Sequence, residues 1–365
     1  MNDIPGLRYL SEKILVLNDK IYGDSVGIPT LALVQCLSNV DNLFTFIMDK
    51  RYKGINLEGK VVNGIFPPFS TGWYLNLILK DIVFRKTIRF LHNVQNNHLI
   101  HYASQQFSPL KLKYETVTVH DLIPIIFKDD VARSIYRLSK RNYAYYKNLP
   151  VVMTVSNFIK ESMLNFGFKG EIIVIPNTFS PSFRPLQIPK SILRQELNLP
   201  QDKKLILSVS ANYPWKNLAL LERVMANLGD NYKLVRVGPS LQNSINFHRP
   251  DSEKLNRLYN ACDVLAMPSL YEGFGLPLLE AMASGLPAVV TDLEVFKEIA
   301  GESVVYSEPD YLHFSNAIRE VIDNGRELIQ KGISRAEYFS FPKYCERLIG
   351  FYRTVFKTYD IKINV

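Results

Sequence analysis

Between residues 204 and 323 the sequence alternates short runs of β-branched and aliphatic residues with stretches of helical periodicity. The runs are 204–210, 232–237, 264–267, 286–291 and 303–306. After the first comes an apolar stripe of Leu218, Leu221, Val224, Met225 and Leu228, with Asn217 placed to cap it. After the second come Leu255, Leu258, Tyr259 and Cys262 on one face, with Asp251 or Ser252 as the cap. Helix patterns over 277–284, 294–300 and 311–323 follow the remaining runs. Strands separated by helix-length segments pair in parallel, and the helices cover the sheet. The pattern predicts a doubly wound α/β sheet, which binds ligands at the carboxyl ends of its strands.

The first half repeats the alternation less cleanly. Strands are expected over 13–19 (KILVLND), 43–49, 61–66, 98–104, 116–121, 151–156 and 172–176 (IIVIP), and helices over 27–38, 73–91, 129–147 and 157–166. Residues 177–189 then carry three prolines and no periodicity, a linker composition. A chain of 365 residues exceeds what one hydrophobic core usually supports. The reading is two Rossmann-like domains, 1–178 and 179–340, with a last helix in 341–365.

Bulk properties narrow the function. The net charge of +8 suits nucleic acid, an anionic membrane surface or a phosphorylated substrate. The basic residues form no dense block, and no nucleic-acid motif is present, so nucleic acid ranks last. The basic, apolar stretch 73–91 could lie on a membrane face, or pack on a sheet as an ordinary amphipathic helix. No apolar run approaches the roughly 18 residues that cross a bilayer. The N-terminus lacks a signal-peptide core, so the expected location is the cytoplasm, with the inner face of the membrane as an option. Cys36, Cys262 and Cys345 show no paired spacing and read as small buried apolar residues, with neither a disulfide nor a zinc site.

The chemistry concentrates in MPSLYEGFGLPLLEAMASG, residues 267–285. A strand ends near Pro268, a glycine-containing loop follows, and Pro277 stands where a helix begins. Gly285 stands where a left-handed helix cap is usual. The loop Gly273, Phe274, Gly275, Leu276 therefore offers backbone N–H groups at a positive helix end, an anion site. Glu272 stands at the mouth of the loop and Glu280 about one turn into the helix. Two carboxylates at different depths can grip two parts of one ligand, Glu272 near a sugar and Glu280 near a ribose. As an isolated pair they would read as a helix-end charge and a solvated helix residue.

This segment resembles the signature of the retaining glycosyltransferases of family 4, or group 1, in which two glutamates frame seven residues. EGFGLPLLE is followed by AMASGLPAVV, preceded by LNRLYNACDVLAMPS and continued by TDLEVFKEIAGESVVY, so the likeness spans about residues 209–306. The resemblance implies the GT-B fold, two Rossmann-like domains facing each other across a cleft. The second domain would hold the donor, the first the acceptor, and the last helix, 341–358, would cross back to the first. It implies no metal and no other cofactor, a nucleoside diphosphate sugar as donor, and a glycan or lipid-linked acceptor.

Residue by residue, Lys216 in Pro214-Trp215-Lys216-Asn217 matches the family's lysine on the donor diphosphate. Many relatives carry an arginine about six residues earlier, where this chain has Ser210. Others place it directly before the lysine, where this chain has Trp215. Either Lys216 suffices with backbone N–H groups, or an arginine such as Arg236 or Arg184 substitutes. His120, in Val119-His120-Asp121-Leu122, resembles the family's histidine that approaches the transferred sugar. Asp121 would orient it or cap the turn. Gly27-Ile28 resembles the N-terminal glycine loop, with Pro29 where a second glycine is common. Ser156-Asn157-Phe158 resembles a cleft element, although a plain helix cap explains Ser156 as well.

The expected function is a metal-independent, retaining transfer of a hexose-type sugar, with Glu272, His120 and Lys216 as catalytic residues. Gly27, Ser210, Gly273, Phe274, Gly275, Leu276 and Glu280 would bind the donor. The alternative is a non-catalytic nucleotide-sugar-binding protein that keeps the fold. An epimerase or a phosphorylase of the same fold would need carboxylate or lysine signatures that are not seen.

Overall fold

The computed structural model describes residues 14–18, 32–33, 35–36, 44–47, 61–63, 99–106 and 108–361. The chain divides into two compact units, Met1–Pro176 with Tyr344–Val365, and Asn177–Lys343.

In the first unit the described strands are β1 (Ile14–Asn18), β2 (Phe44–Ile47), β3 (Val61–Asn63), β4 (Leu99–Tyr102), β5 (Glu115–Val119), β6 (Val151–Thr154) and β7 (Glu171–Val174). They form one parallel sheet in the order β3-β2-β1-β4-β5-β6-β7. Every residue of β4, β5 and β6 is buried, as expected where both faces of a parallel sheet are covered.

The helix Phe341–Thr358 groups with this unit from Tyr344 onward. It buries Tyr344, Cys345, Leu348, Ile349, Tyr352, Val355 and Phe356, one stripe at helical spacing. Tyr352 Oη lies 2.6 Å from Nδ1 of His101 on β4, whose Nε2 lies 2.8 Å from Thr118 Oγ1. Burial, helped by the nearby charge of His120, drives His101 down to about 3, so the ring is neutral. Tyr359 Oη donates to the Glu115 carbonyl at 2.6 Å.

The cysteine expectation is corrected here. Cys36 and Cys345 form a disulfide across 309 residues, while Cys262 is free and buried. Nothing in the spacing announces the pair, because only the return of the terminal helix brings the two sulfurs together.

The second unit contains β8 (Lys204–Val209), β9 (Tyr232–Val237), β10 (Ile245–Phe247), β11 (Val264–Met267), β12 (Ala288–Thr291) and β13 (Val305–Ser307). Its parallel order is β10-β9-β8-β11-β12-β13. The chain winds outward from β8 through β9 to β10, then restarts at β11 on the other side. The order switches between β8 and β11, and in doubly wound sheets ligands bind at the strands' carboxyl ends beside such a switch. Ile206, Leu221, Val224, Leu234, Val264, Val289, Phe314 and Ile318 pack one face into a core.

Several local expectations shift. The run 286–291 yields only Ala288–Thr291, because Pro287 has no N–H for the ladder and contributes its carbonyl to Leu265 N instead. Asn217 does not cap by its side chain; it takes a left-handed conformation (φ 52°) that closes the turn Pro214–Lys216. Asp251 does cap, accepting from Lys254 N at 2.8 Å. The helices Lys190–Glu196 and Arg326–Ala336 and the strand β10 were not anticipated. The proposed 73–91 helix lies outside the described residues, as does most of 27–38. Among the described residues no helix is long and apolar enough to cross a membrane.

Candidate functional site

Lys216 and Glu272 come from the two strands that flank the switch point. Lys216 follows β8, in the 3-10 turn Pro214–Lys216. Glu272 follows β11, ahead of the helix Leu276–Ala283. Lys216 Nζ lies 2.5 Å from Glu272 Oε1, and Ser269 Oγ donates to the same oxygen at 2.9 Å. The two loops are also joined through the backbone, Leu270 N donating to Trp215 O at 2.7 Å. Trp215 is buried and stacks on exposed Tyr213, ring centroids 4.6 Å apart. Both charges are largely withdrawn from water, and Glu272 is only 8% exposed, so it is no solvated helix-end charge. A cation and a carboxylate held together at the carboxyl ends of the strands can serve a ligand that carries both a negative and a positive group.

Glu280 is 3% exposed, on the inner side of the helix Leu276–Ala283. Tyr259 Oη donates to its Oε2 at 2.8 Å. Burial raises its carboxyl to about 8, with the tyrosine hydrogen bond opposing the rise. The group is therefore mostly protonated at neutral pH. Tyr259 lies in the upstream stretch LNRLYNACDV but drew notice there only as an apolar position.

The glycine loop has a specific steric cause. Gly275 sits at φ 99°, and a Cβ there would meet Phe296 Cε1 at 2.8 Å. Phe296 thereby presses the loop against the helix start, and the backbone turns as only glycine tolerates. The helix begins at Leu276, so Pro277 occupies its second position rather than its first. Leu278 and Leu279 N–H both donate to Gly275 O, while no described hydrogen bond uses the N–H of Phe274, Gly275 or Leu276.

Ser210 directly follows β8, and Arg236 stands on neighbouring β9. The Arg236 guanidinium donates to Ser208 O and Oγ (both 3.2 Å), Val237 O (3.4 Å), Ser210 O (2.6 Å) and Ser210 Oγ (3.1 Å). Arg184 is different: among the described residues its guanidinium donates only to Pro181 O at 3.4 Å, in an exposed setting.

In the first unit His120 is 7% exposed at the end of β5. Its Nε2 donates to Ala103 O at 2.8 Å, and its own N–H donates to Gln105 Oε1 at 3.0 Å. Burial lowers the imidazole to about 4, the Ala103 bond opposing. A neutral ring with its proton on Nε2 offers Nδ1 as an acceptor. Asp121 caps the turn, its Oδ1 accepting from Ile123 N at 2.9 Å. Ser156 caps the helix Asn157–Asn165 through Ile159 N at 3.2 Å, the plain explanation. Gly27 lies outside the described residues. Among the described residues the cluster Glu308, Asp310 and His313 is close enough to share a cation, but it is exposed, and Asp310 caps the helix Tyr311–Asn324.

Two parallel-sheet units are the architecture of the GT-B fold, and solved glycosyltransferase structures share that fold over nearly the whole chain. Sucrose-phosphate synthase from Thermosynechococcus elongatus superposes with TM-score 0.78 at 19% identity, covering 95% of this chain and 99% of its own. Anabaena HepE in complex with UDP-glucose gives TM-score 0.75 at 16% identity, covering 94% and 100%. Residues 189–337 match the family model of the glycosyl transferases group 1. The O-antigen chain mannosyltransferase RfbU of Salmonella typhimurium is 28% identical over 219 residues, 54% of this chain. The match spans 58% of that relative, so this chain aligns with little more than half of its length.

Proposed function

We propose that the chain transfers a hexose-type sugar, with retention and without a metal ion, from a nucleoside diphosphate sugar to a glycan or lipid-linked acceptor hydroxyl. The observation that carries this reading is the Lys216–Glu272 pair at the β8/β11 switch, with buried Glu280 one turn deeper in the same group 1 segment. The name of RfbU makes mannose the first sugar to test.

In this reading the protein positions its reactants and stabilises the departing diphosphate. Lys216 turns from Glu272 to the donor phosphates and offsets the charge that grows as the sugar–oxygen bond breaks. Glu272, freed on one oxygen and still held by Ser269, faces the positive charge that develops on the sugar. The N–H groups of Phe274, Gly275 and Leu276 and the hydroxyl of Ser210 complete the anion cradle. Glu280 accepts hydroxyls of the ribose. Neutral His120 accepts a sugar hydroxyl through Nδ1. The donor phosphate takes the acceptor proton on the same face, so no protein nucleophile is needed. The reaction belongs in the cytoplasm, with a lipid-linked acceptor presented at the inner membrane face.

The test is a metal-free screen of UDP-, GDP- and ADP-sugars, following nucleoside diphosphate release with Glu272→Ala and Lys216→Ala as controls. Release from one donor, lost in both variants, is the expected result. Tight binding without turnover, even with oligosaccharide and lipid acceptors supplied, would favour the non-catalytic binding protein. Binding of none would overturn the reading.

A further inference from the structure

Arg236 is fully buried, and among the described residues no carboxylate lies within ion-pair distance of it. Among the described residues its Nη1 and Nη2 meet only uncharged oxygens, and its Nε has no hydrogen-bond partner. A guanidinium withdrawn from water without a counter-ion is an expensive arrangement, seldom kept without one. The other large buried cation of this unit behaves as expected: Arg194 Nη2 lies 2.7 Å from Asp263 Oδ2. The missing counter-ion of Arg236 points to an anion that arrives with a ligand.

The place is specific. Arg236 sits near the carboxyl end of β9, and its fork closes over the last residues of β8. Ser210 N–H donates to Val237 O at 3.1 Å, which locks the two strand ends together. Gly238 follows with φ 135°, and a Cβ there would lie 2.2 Å from Ser210 O and 3.3 Å from Arg236 Nη2. Only glycine lets the chain pass so close to the carbonyl that the guanidinium grips. Arg236 Nη2 donates to Ser210 Oγ, so the hydroxyl proton of Ser210 has to point elsewhere. Ser210 is half-buried, on the side of β8 from which the chain runs on to Lys216.

We propose that Arg236 is a positioning residue of the donor site, one that aims the Ser210 hydroxyl at the donor diphosphate and supplies a positive field from beneath it. This rests on the nucleoside-diphosphate reading above. Burial lowers the guanidinium to about 10, still cationic at neutral pH, so the field is present throughout the working range.

The experiment is calorimetric titration of the full chain with nucleoside mono- and diphosphates of uracil, guanine and adenine, for wild type, Arg236→Met, Arg236→Lys and Ser210→Ala. The readout is the ratio of diphosphate to monophosphate affinity and its salt dependence. Loss of packing alone would weaken both ligands together; loss of a diphosphate-directed charge lowers the ratio. The expected result is a roughly tenfold fall in the ratio for Arg236→Met with a shallower salt slope, partial retention in Arg236→Lys and a severalfold fall in Ser210→Ala. An unchanged ratio in a folded Arg236→Met overturns the proposal and leaves Arg236 as a structural bracket. Should Arg236→Met not fold, Ser210→Ala decides, and an unchanged ratio there overturns it equally. If wild type binds none of the diphosphates, the donor reading itself falls, and this proposal with it.

Discussion

Replacing Glu280 by glutamine should remove a pH dependence that this one side chain imposes on the second unit. In the fold its carboxyl is raised from 4.5 to about 8, because ionising it would bury a charge beside only a tyrosine hydroxyl. A pKa raised on folding means that the group's contribution is complete below the unfolded value, near pH 4.5, and is lost as pH climbs toward 8. Between pH 5 and 7 the unfolded glutamate ionises while the folded one keeps its proton. At about 1.4 kcal/mol per pH unit, that removes roughly 2.5 kcal/mol over this window. For a unit of this size the loss corresponds to about 5–10 °C in melting temperature. Glutamine keeps an acceptor for Tyr259 and cannot ionise. Thermal unfolding of wild type and Glu280→Gln, followed by circular dichroism at pH 5, 6, 7 and 8, gives the difference directly. Groups that titrate in both proteins, His101 and His120 among them, cancel. Wild type should lose ground against the variant steadily from pH 5 to 8. Parallel curves would mean that Glu280 is already ionised in the fold, and the argument from its burial would fail.

Three further outcomes follow from the same geometry. If ribose hydroxyls donate to Glu280, they favour its ionised form, so nucleoside diphosphate binding at pH 7 should release protons; calorimetry in buffers of different ionisation enthalpy measures this, and Glu280→Gln should abolish it. Lys216→Met should destabilise the second unit by about 1–3 kcal/mol, because it leaves the Glu272 carboxylate with Ser269 alone. Adding Glu272→Gln should recover part of that loss, and urea unfolding of the singles and the double would show whether the coupling exists. Alkylation of chemically unfolded, unreduced protein should label one thiol, Cys262, and reduction should raise the count to three; three without reduction would exclude the Cys36–Cys345 bond.

The sequence by itself determined the class of fold and named the candidate site residues. Alternating strand and helix periods leave parallel pairing as the workable arrangement, so β8 to β13 were legible except for β10, whose three half-buried residues carry no apolar run. Glu272 and Glu280 stood out as candidates because a helix start, a glycine loop and two carboxylates fall within a few turns of one another, and Lys216 only through the family resemblance. Tertiary structure decided their chemical states. Lys216 and Glu272 are 56 residues apart, and only the β8/β11 switch makes them an ion pair. Protonated Glu280 depends on burial that no local pattern reports, and it persists against the opposing hydrogen bond from Tyr259, 21 residues upstream. The Cys36–Cys345 bond needs the terminal helix to return to the first unit. Arg236 lay in an ordinary strand pattern, and its want of a counter-ion emerged only once its neighbours were known. Local sequence fixes backbone periodicity, whereas charge, protonation and pairing depend on groups that only folding brings within a few ångströms.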